Sequence, residues 1–355
     1  MAAKRTGTSR KVCVKIPIDG TAKQLSKLFS YGIETQKSDL TSLEEYIAHT
    51  FNQTLVRDHF YGAWAEVLKD KGKYILKMYS PHHDLSIYER LIPAYLEAGR
   101  VALSLFEDNR KNVRKYGKKQ MRFSLPFGLC MAKAKSVQLL HFPPLETFVY
   151  QDYLYSPTNR RWENLIAYNE VAAVNFAEME SIVDCVPIAA PGGDSEGISH
   201  FNETFTPYVM KMLQARLDPS GKTTQPVVAY GEPVRAWLEK TFSGQIRTQI
   251  KDGRLQTLSL IELRLFNSGV TTPVLCANHP SKYLYYTDDT DPAHFDEKKD
   301  IMTQDLIAAG WQAKMAYQPK GSPHKVLQHL QKHWTNNPQV LKIITQEDQA
   351  YGYKL

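Results

Sequence analysis

The chain has 355 residues, of which 43% are hydrophobic and 23% are charged, and these are the proportions of an ordinary globular protein. The length predicts two domains or one domain with sizeable extensions, and every apolar run is too short to span a bilayer. Four widely spaced cysteines without a Cys-x-x-Cys pair argue against a disulfide scaffold and a compact zinc site, while a net charge of +7 favours a polyanionic partner.

The first third of the chain predicts a mostly helical accessory region, which we place at residues 1–120. Residues 12–18 have the apolar character of a strand. Apolar residues between Leu55 and Leu68 then recur at intervals of four, and a second set recurs between Leu85 and Phe106. This spacing is typical of two amphipathic helices.

A run of basic residues follows the second of these helices. Seven side chains between residues 110 and 122 are Lys or Arg, among them Arg114, Lys115 and Lys118. Such cations can neutralise the backbone phosphates of a nucleic acid, so we interpret these three as candidate DNA contacts. A solvated helix face accounts for the same pattern equally well.

The middle of the chain, residues 121–290, alternates short apolar runs with helical patterns. We predict strands at residues 136–142, 181–188, 225–231 and 273–277. Helices are predicted after Thr206-Pro207 and at Pro233, a residue that suits the first turn of a helix. Strands separated by helices form parallel sheets covered on both faces, so the predicted fold class is α/β.

The last part, residues 291–355, predicts a helical extension that packs on this core. Ile307, Trp311 and Met315 are spaced at intervals of four residues, and a similar stripe runs from Val326 to Trp334. The tail from Gln346 is polar and carries no structural signal of its own.

Two strand ends and one helix start carry a resemblance. The third predicted strand ends in Ala229-Tyr230-Gly231, and the fourth ends in Asn278-His279-Pro280-Ser281. The stretch 141–145 (His-Phe-Pro-Pro-Leu) precedes Ser156-Pro157-Thr158-Asn159-Arg160-Arg161-Trp162. These motifs resemble the uracil-DNA glycosylase superfamily, and the last is similar to the Pro-x-Asn-Arg-x-Trp helix start of its mismatch-specific branch. The resemblance spans residues 136–290 and implies a three-layer α/β/α fold around a central, mainly parallel four-stranded sheet.

Membership of this superfamily implies an enzyme that flips a base out of DNA and cleaves its N-glycosidic bond, with no metal or other cofactor. The resemblance implies that His279 donates a hydrogen bond to the base carbonyl and that Asn278 contacts the base. It also implies that the following residues contact DNA: Asn159, Arg160, Ser281, Lys282 and Tyr283.

One catalytic position departs from the family pattern. The carboxylate or amide that orients the attacking water falls on Pro143, whose side chain has no polar atom. Glu146 and, further along, Asp152 are the nearest acids, so we predict that one of them takes this catalytic role. Phe148 is a candidate for stacking against the extruded base.

Asp184 falls where several branches of the family place an Asn that reads the base edge. An ionised carboxylate only accepts hydrogen bonds and therefore suits the exocyclic amino group of cytosine. Removal of ordinary cytosine would damage the host's own DNA, so we predict a modified cytosine such as some bacteriophages carry. This activity implies antiviral defence or DNA repair in the cytoplasm of a bacterium, at the nucleoid. The alternative role for Asp184 is a cap on a neighbouring helix.

Three other functions stay open. Pro143 is consistent with a catalytically silent nucleic-acid-binding protein on the same fold, and the resemblance also allows a uracil or mismatch repair glycosylase. An unrelated α/β hydrolase or nucleotide-binding enzyme ranks last, because the chain has no Gly-rich phosphate loop and no Gly-x-Ser-x-Gly elbow.

Overall fold

The structure is a computed structural model. It describes residues 12–30, 42–116, 122–123, 132–143, 157–171, 180–190, 195–217, 225–243, 246–251, 258–264, 271–286, 292–318 and 321–350. Within these stretches no helix has the length and apolar character needed to cross a bilayer.

The N-terminal part combines a small antiparallel sheet with four helices. Its elements, in chain order, are β1 (Val12–Ile18), α1 (Ala22–Ser30), α2 (Leu43–Arg57), β2 (Trp64–Asp70), β3 (Lys73–Tyr79), α3 (Ile87–Asp108) and α4 (Arg110–Tyr116). The strand order is β1-β3-β2, and one face of the sheet is buried, including Val14, Val67 and Leu76. The predicted strand at residues 12–18 and the predicted helix between Leu85 and Phe106 are confirmed by β1 and α3.

The predicted helix between Leu55 and Leu68 is wrong. Helix α2 ends at Arg57, and the chain then passes through His59 (φ 56°) and Gly62 (φ 81°), whose backbone conformations do not occur in a right-handed helix. From Trp64 the buried side chains alternate as in a strand, and Lys71-Gly72, both with positive φ, make the tight turn into β3. The four-residue spacing of apolar side chains therefore predicted one helix where the chain has the end of α2 and the start of a β-hairpin.

A six-stranded sheet forms the centre of the molecule. The remaining elements, in chain order, are β4 (Arg122–Phe123), β5 (Ser136–Leu140), α5 (Pro157–Ala167), β6 (Glu180–Asp184), β7 (Ile188–Ala189), α6 (Ser195–Ser199), α7 (Thr206–Leu217), β8 (Val227–Tyr230), α8 (Glu232–Thr241), β9 (Ile246–Lys251), β10 (Ser259–Leu263), β11 (Thr272–Ala277), α9 (Pro292–Tyr317), α10 (Pro323–Trp334) and α11 (Gln339–Ala350). The order across the sheet is β6-β5-β8-β11-β10-β9, and β4 pairs separately with β7.

The four predicted strands are neighbours in this sheet. They correspond to β5, β6, β8 and β11, and all three pairings among them are parallel. Strands β10 and β9 add two antiparallel pairings beyond β11, so the sheet is larger than the predicted four strands. The helices predicted after Thr206 and at Pro233 are confirmed as α7 and α8.

Helices cover both faces of the central sheet. Successive side chains in a strand point to opposite faces. Along β11, Val274 and Cys276 belong to a core shared with α3, α7 and α8, whereas Leu275 and Ala277 belong to a core shared with α5, α9, α10 and α11. The result is a three-layer α/β/α arrangement, and the N-terminal sheet shares the first of the two cores.

Helix α9 is the central helix of the second layer. Every residue from Ile301 to Ala313 is buried, because α9 contacts the sheet as well as α5, α10 and α11. The two helices predicted from residues 307–315 and 326–334 are confirmed as parts of α9 and α10. Residues 346–350 of the polar tail, which carried no signal in the sequence, belong to α11, and the last five residues lie outside the described part of the chain.

Gly310 of α9 faces Asn169, which lies two residues beyond the end of α5. A Cβ atom at this glycine would lie 2.3 Å from Oδ1 of Asn169. The amide of Asn169 is buried: its Nδ2 donates to the carbonyl oxygens of Leu165 (2.8 Å) and Leu306 (3.1 Å), and its Oδ1 accepts from Nε1 of Trp334 at 2.8 Å. The missing side chain at residue 310 leaves the space for this polar link between three helices.

Candidate functional site

A pocket lies where β8 and β11 end side by side. The two strands are parallel, so their carboxyl ends open on the same edge of the sheet, where open α/β sheets bind ligands. The pocket has a volume of about 340 Å³, within the range of small-molecule sites. Its lining, among the described residues, is Gly231, Glu232, Pro233, Arg235, Ala277, Asn278, His279, Ser281 and Lys282. The two polar strand ends singled out in the sequence thus meet in one site.

The backbone of Gly231 joins the two strand ends. Its N–H donates to the carbonyl oxygen of Ala277 at 2.8 Å, and its φ of +89° is one that residues with a Cβ rarely adopt. Helix α8 begins at the next residue, and Gly231, as its N-cap, has no side chain to cap the first amides. The positive end of the α8 dipole therefore lies at the pocket, together with the cationic side chains of Arg235 and Lys282.

The imidazole of His279 is neutral and held in one orientation. The backbone N–H of Ser281 donates to Nδ1 at 3.3 Å, and the hydroxyl of Ser281 lies 2.6 Å from the same atom. Because a backbone N–H can only donate, Nδ1 is an acceptor and the ring proton lies on Nε2. Burial lowers the pKa of His279 to about 4, so the ring is uncharged near pH 7. The ring therefore has one N–H donor in the protonation state that the predicted contact with a base requires.

Asn278, predicted to contact the base, is anchored to helix α9. It lines the pocket, but its Nδ2 donates to Oε1 of Gln304 at 2.6 Å. On the other side of His279, the carbonyl oxygen of Pro280 accepts from Nη1 of Arg161 at 3.1 Å. The turn that carries the imidazole is thus tied down on both sides.

Of the three predicted DNA contacts after this turn, two are accessible and one is not. Ser281 and Lys282 are partly exposed at the pocket. Tyr283 is fully buried, its hydroxyl donates to Oδ1 of Asp348 at 3.0 Å, and its ring lies 4.3 Å from the guanidinium carbon of Arg161. Its predicted role as a DNA contact is therefore wrong.

A buried ionic cluster, which the sequence analysis missed, lies beneath the turn; its members are Arg161, Tyr283, Lys298, Asp305, Glu347 and Asp348. Nη1 of Arg161 lies 2.9 Å from Oδ2 of Asp305, and Nε lies 3.4 Å from Oε2 of Glu347 without hydrogen-bond geometry. Nζ of Lys298 contacts both oxygens of Asp348 at 2.6 and 2.7 Å. Burial raises the pKa of Asp305 to about 6 although Arg161 acts in the opposite direction.

The sequence does hold one signal for this cluster. In α11 the buried positions Val340, Ile343, Ile344 and Glu347 follow a helical stripe, and the last of them is charged. A charge on the apolar face of a helix needs a buried partner. The two neighbouring arginines of α5 differ in burial: Arg160 is exposed, whereas Arg161 is fully buried.

Asp184 ends β6 and does not line the pocket. Strands β5 and β8 separate β6 from β11, a distance of about 14 Å at the usual strand spacing. The carboxyl is buried, and its Oδ1 has no hydrogen-bond partner among the residues that the structure describes. Burial raises the pKa of Asp184 to about 7, so the group is both ionised and protonated in comparable amounts near neutral pH. A protonated carboxyl donates as well as accepts, unlike the acceptor-only group assumed from the sequence.

His141, which the sequence analysis quoted in a motif but did not assign to the site, follows β5. Its Nε2 lies 3.1 Å from Oδ1 of Asn202. Burial lowers the pKa of His141 to about 4, the hydrogen bond with Asn202 acts in the opposite direction, and the nearby His279 contributes to the lowering.

The resemblance implies that the water-orienting residue falls on Pro143, and the structure shows this proline in a backbone hydrogen bond. Pro143 is buried, and its carbonyl oxygen accepts from the N–H of Ala190 at 3.3 Å. The predicted catalytic acids Glu146 and Asp152, and the predicted stacking residue Phe148, lie outside the described residues.

The remaining predicted DNA contacts are distributed over two helices. Arg160 is exposed on α5, and Asn159 belongs to the first turn of the same helix, although its side chain is outside the described part of the chain. Arg114 and Lys115 belong to α4, again without described side chains, and Lys118 lies beyond the described residues. Among the described residues no three His, Cys, Asp or Glu side chains are grouped as a metal site requires.

Comparison with known proteins found no similarity: no protein family, no curated protein and no solved structure matches the chain.

Proposed function

We propose that the chain is a DNA glycosylase that excises a cytosine-type base, with His279 as the hydrogen-bond donor to the base. The observation that carries this proposal is the pocket at the ends of β8 and β11, in which a neutral imidazole with its proton on Nε2 is fixed by Ser281. A neutral donor of this kind stabilises negative charge that develops on a departing base.

The electrostatics of the pocket support a nucleic-acid ligand. The amino end of α8 and Lys282 favour an anion such as a backbone phosphate next to the extruded nucleotide, and Arg235 adds a cation that is partly compensated by Glu239 at 3.3 Å. Glu232, in the same lining, is the one acid among its described residues.

Asp184 is the proposed determinant of base choice, a role that requires the extruded base to reach from the pocket to the carboxyl at the end of β6, outside the described lining. In its ionised form the carboxylate accepts from the exocyclic amino group of cytosine, whereas uracil offers an acceptor at that place. Burial raises the pKa of Asp184 to about 7. The fraction of the ionised form, which selects cytosine, therefore increases as the pH rises through 7. A modified cytosine foreign to the host is the coherent substrate.

The test is a strand-cleavage assay on duplex DNA carrying normal, hydroxymethylated or glucosylated cytosine, or uracil, followed by alkali. We expect breaks only in DNA with modified cytosine. His279→Ala is expected to lower the rate by roughly 10²- to 10³-fold, as the loss of one preorganised donor does in other enzymes. Asp184→Asn is expected to abolish cleavage at modified cytosine.

The matched control is His329→Ala, which removes an exposed imidazole from α10 and should leave the rate unchanged. Release of uracil by the wild-type protein would contradict the role given to Asp184. An unchanged rate in His279→Ala would contradict the role given to the imidazole.

A catalytically silent nucleic-acid-binding protein is the second candidate. Pro143 favours it, because a buried proline at the water-orienting position cannot activate water. Binding to every DNA substrate without breakage of any would establish this function in place of the first.

Either function leads to a prediction for the basic run at residues 110–122. Reversing the charges of Arg114, Lys115 and Lys118 to Glu is expected to weaken DNA binding and to flatten its salt dependence, because each phosphate contact releases counterions. Binding would be measured by fluorescence anisotropy between 50 and 200 mM salt, a range over which six to ten such contacts change affinity by about 10³- to 10⁵-fold. Unchanged affinity and slope would identify the run as a solvated helix face.

A further inference from the structure

We propose that Arg161 is a positioning residue that fixes the His279 turn, and that helix α11 completes this fixation. The guanidinium does not line the pocket; it acts through the carbonyl oxygen of Pro280, one residue away from His279. The consequence for catalysis rests on the proposed function, whereas the consequence for the imidazole of His279 does not.

Two consecutive residues of α9 hold the two sides of the turn. Gln304 accepts directly from Asn278 at 2.6 Å, and Asp305 binds the Arg161 nitrogen that donates to Pro280. His279 lies between these two ties. Its backbone cannot move away from the end of β8 unless one of them breaks.

The shape of the guanidinium suits this task. Nη1 of Arg161 reaches both the Pro280 oxygen at 3.1 Å and the Asp305 carboxylate at 2.9 Å, while Nε faces Glu347 at 3.4 Å. A lysine ammonium is a single point charge and cannot hold three groups in fixed directions. The two acids also compensate a cation that is completely removed from water.

Helix α11 supplies one acid to the start and one to the middle of the 3-10 helix Pro280–Tyr286 that follows His279. Glu347 faces Arg161, which holds Pro280, and Asp348 accepts from the hydroxyl of Tyr283 at 3.0 Å. The ring of Tyr283 stacks on Arg161 and so links the two contacts. The last described helix of the chain is therefore part of the support of the site.

The pKa of the His279 imidazole can be used to measure whether the turn is fixed. The ionisable groups near His279 are His141 and the pocket residues Glu232, Arg235 and Lys282, and none of them contacts Arg161 in the described structure. Lys282 belongs to the 3-10 helix that Arg161 holds, and Arg161→Gln removes a cation next to Asp305 and Glu347. Arg161→Lys keeps that charge, so in this variant a changed titration of His279 results from movement and exposure of the ring.

The experiment is an NMR titration of the full chain labelled with ¹⁵N-histidine, with the His279 signal assigned by its loss in His279→Gln. In the wild-type protein we expect a midpoint near pH 4 and the proton on Nε2. In Arg161→Gln we expect the midpoint to rise by at least about one pH unit towards the ordinary histidine value, with loss of the pure Nε2–H signature. Trp334→Phe is the matched control, because it breaks a buried hydrogen bond to Asn169 at the far end of α5 without touching the turn.

An unchanged midpoint in folded Arg161→Gln, or a shift of the same size in Trp334→Phe, would overturn the proposal. Arg161→Lys, which keeps the positive charge, decides by the same measurement whether or not Arg161→Gln folds: a raised midpoint supports the positioning role and an unchanged one refutes it.

The DNA-cleavage assay separates this proposal from the proposed function. Arg161→Lys is expected to lower kcat by up to about a hundredfold with little change in KM, as small displacements of catalytic groups do. If the wild-type protein cleaves no DNA, the proposed function fails and the titration still decides the role of Arg161. If it cleaves DNA and the titration of His279 does not change, the function stands and the positioning role is refuted.

Discussion

The difference in unfolding free energy between Asp184→Asn and the wild-type protein is expected to change in favour of the variant by on the order of 4 kcal/mol as the pH rises from 4 to 8. Burial raises the pKa of Asp184 from 3.8 to about 7 in the folded state. Each pKa unit corresponds to about 1.4 kcal/mol of differential stability. The pH-dependent part of the effect is therefore large for a substitution that conserves the shape of the side chain.

The sign follows from proton linkage. Between pH 4 and pH 7 the unfolded chain has released the proton of Asp184 while the folded chain retains it, so the wild-type protein loses stability as the pH rises and reaches a plateau above pH 7. The amide of the variant does not titrate. The difference between the two proteins thus isolates Asp184 from other buried acids with raised pKa values, such as Asp58 and Asp305.

Urea denaturation at pH 4, 6 and 8 would measure the effect as a difference in unfolding free energy. Asp84→Asn is the control, because the exposed carboxylate of Asp84 accepts from the N–H of Ser86, which lowers its pKa, and its small effect has the opposite sign. A difference between Asp184→Asn and the wild-type protein that does not vary with pH would show that Asp184 ionises normally in the folded chain.

Gly310→Ala is expected to destabilise the protein by roughly 3 kcal/mol, although alanine is the better helix former by about 1 kcal/mol. The new methyl group would lie 2.3 Å from Oδ1 of Asn169 and 3.0 Å from Cδ2 of Leu330. Either α9 or Asn169 must move, which combines the cost of overpacking a core with the loss of the hydrogen bond from Trp334.

A double-mutant cycle tests this explanation. Asn169→Ala removes the colliding atoms, so the second substitution at Gly310 should cost much less in that background than in the wild-type protein. Chemical denaturation of the four proteins would give the coupling free energy. Additive effects, or a stabilising effect of Gly310→Ala alone, would rule out contact with Asn169 as the cause.

The parallel part of the sheet could be predicted because its strands are short apolar runs that end abruptly. The runs at residues 136–142 and 273–277 stop at prolines or polar turns. Pro233 predicts the helix after β8, because proline suits the first turn of a helix. The hairpin of β2 and β3 was missed because the apolar residues around Trp64 also satisfy a four-residue period. Gly62 inside the run and the tight turn at Lys71-Gly72 distinguish the two interpretations, but a single glycine and a lysine with positive φ carry little signal in a sequence.

The site was predicted in part. The turn at His279 and the turn at Gly231 meet as expected, since adjacent parallel strands bring their carboxyl ends together. The support by Arg161, Asp305 and Glu347 could not be predicted, because ion pairs between residues so far apart depend on which helix faces are buried. Sequence position also could not show that Tyr283 points inward or that the carboxyl of Asp184 is enclosed.

The contact between Arg161 and Glu347 has a consequence for the order in which the protein matures during synthesis. At ribosomal rates of about 5–20 residues per second, Glu347 and Asp348 are added roughly 10 to 40 seconds after Arg161. Until α11 docks, Arg161 has no Glu347 and Tyr283 has no Asp348, so the His279 turn, once made, has only part of the support described above. The His279 turn therefore gains its full support only when α11 docks.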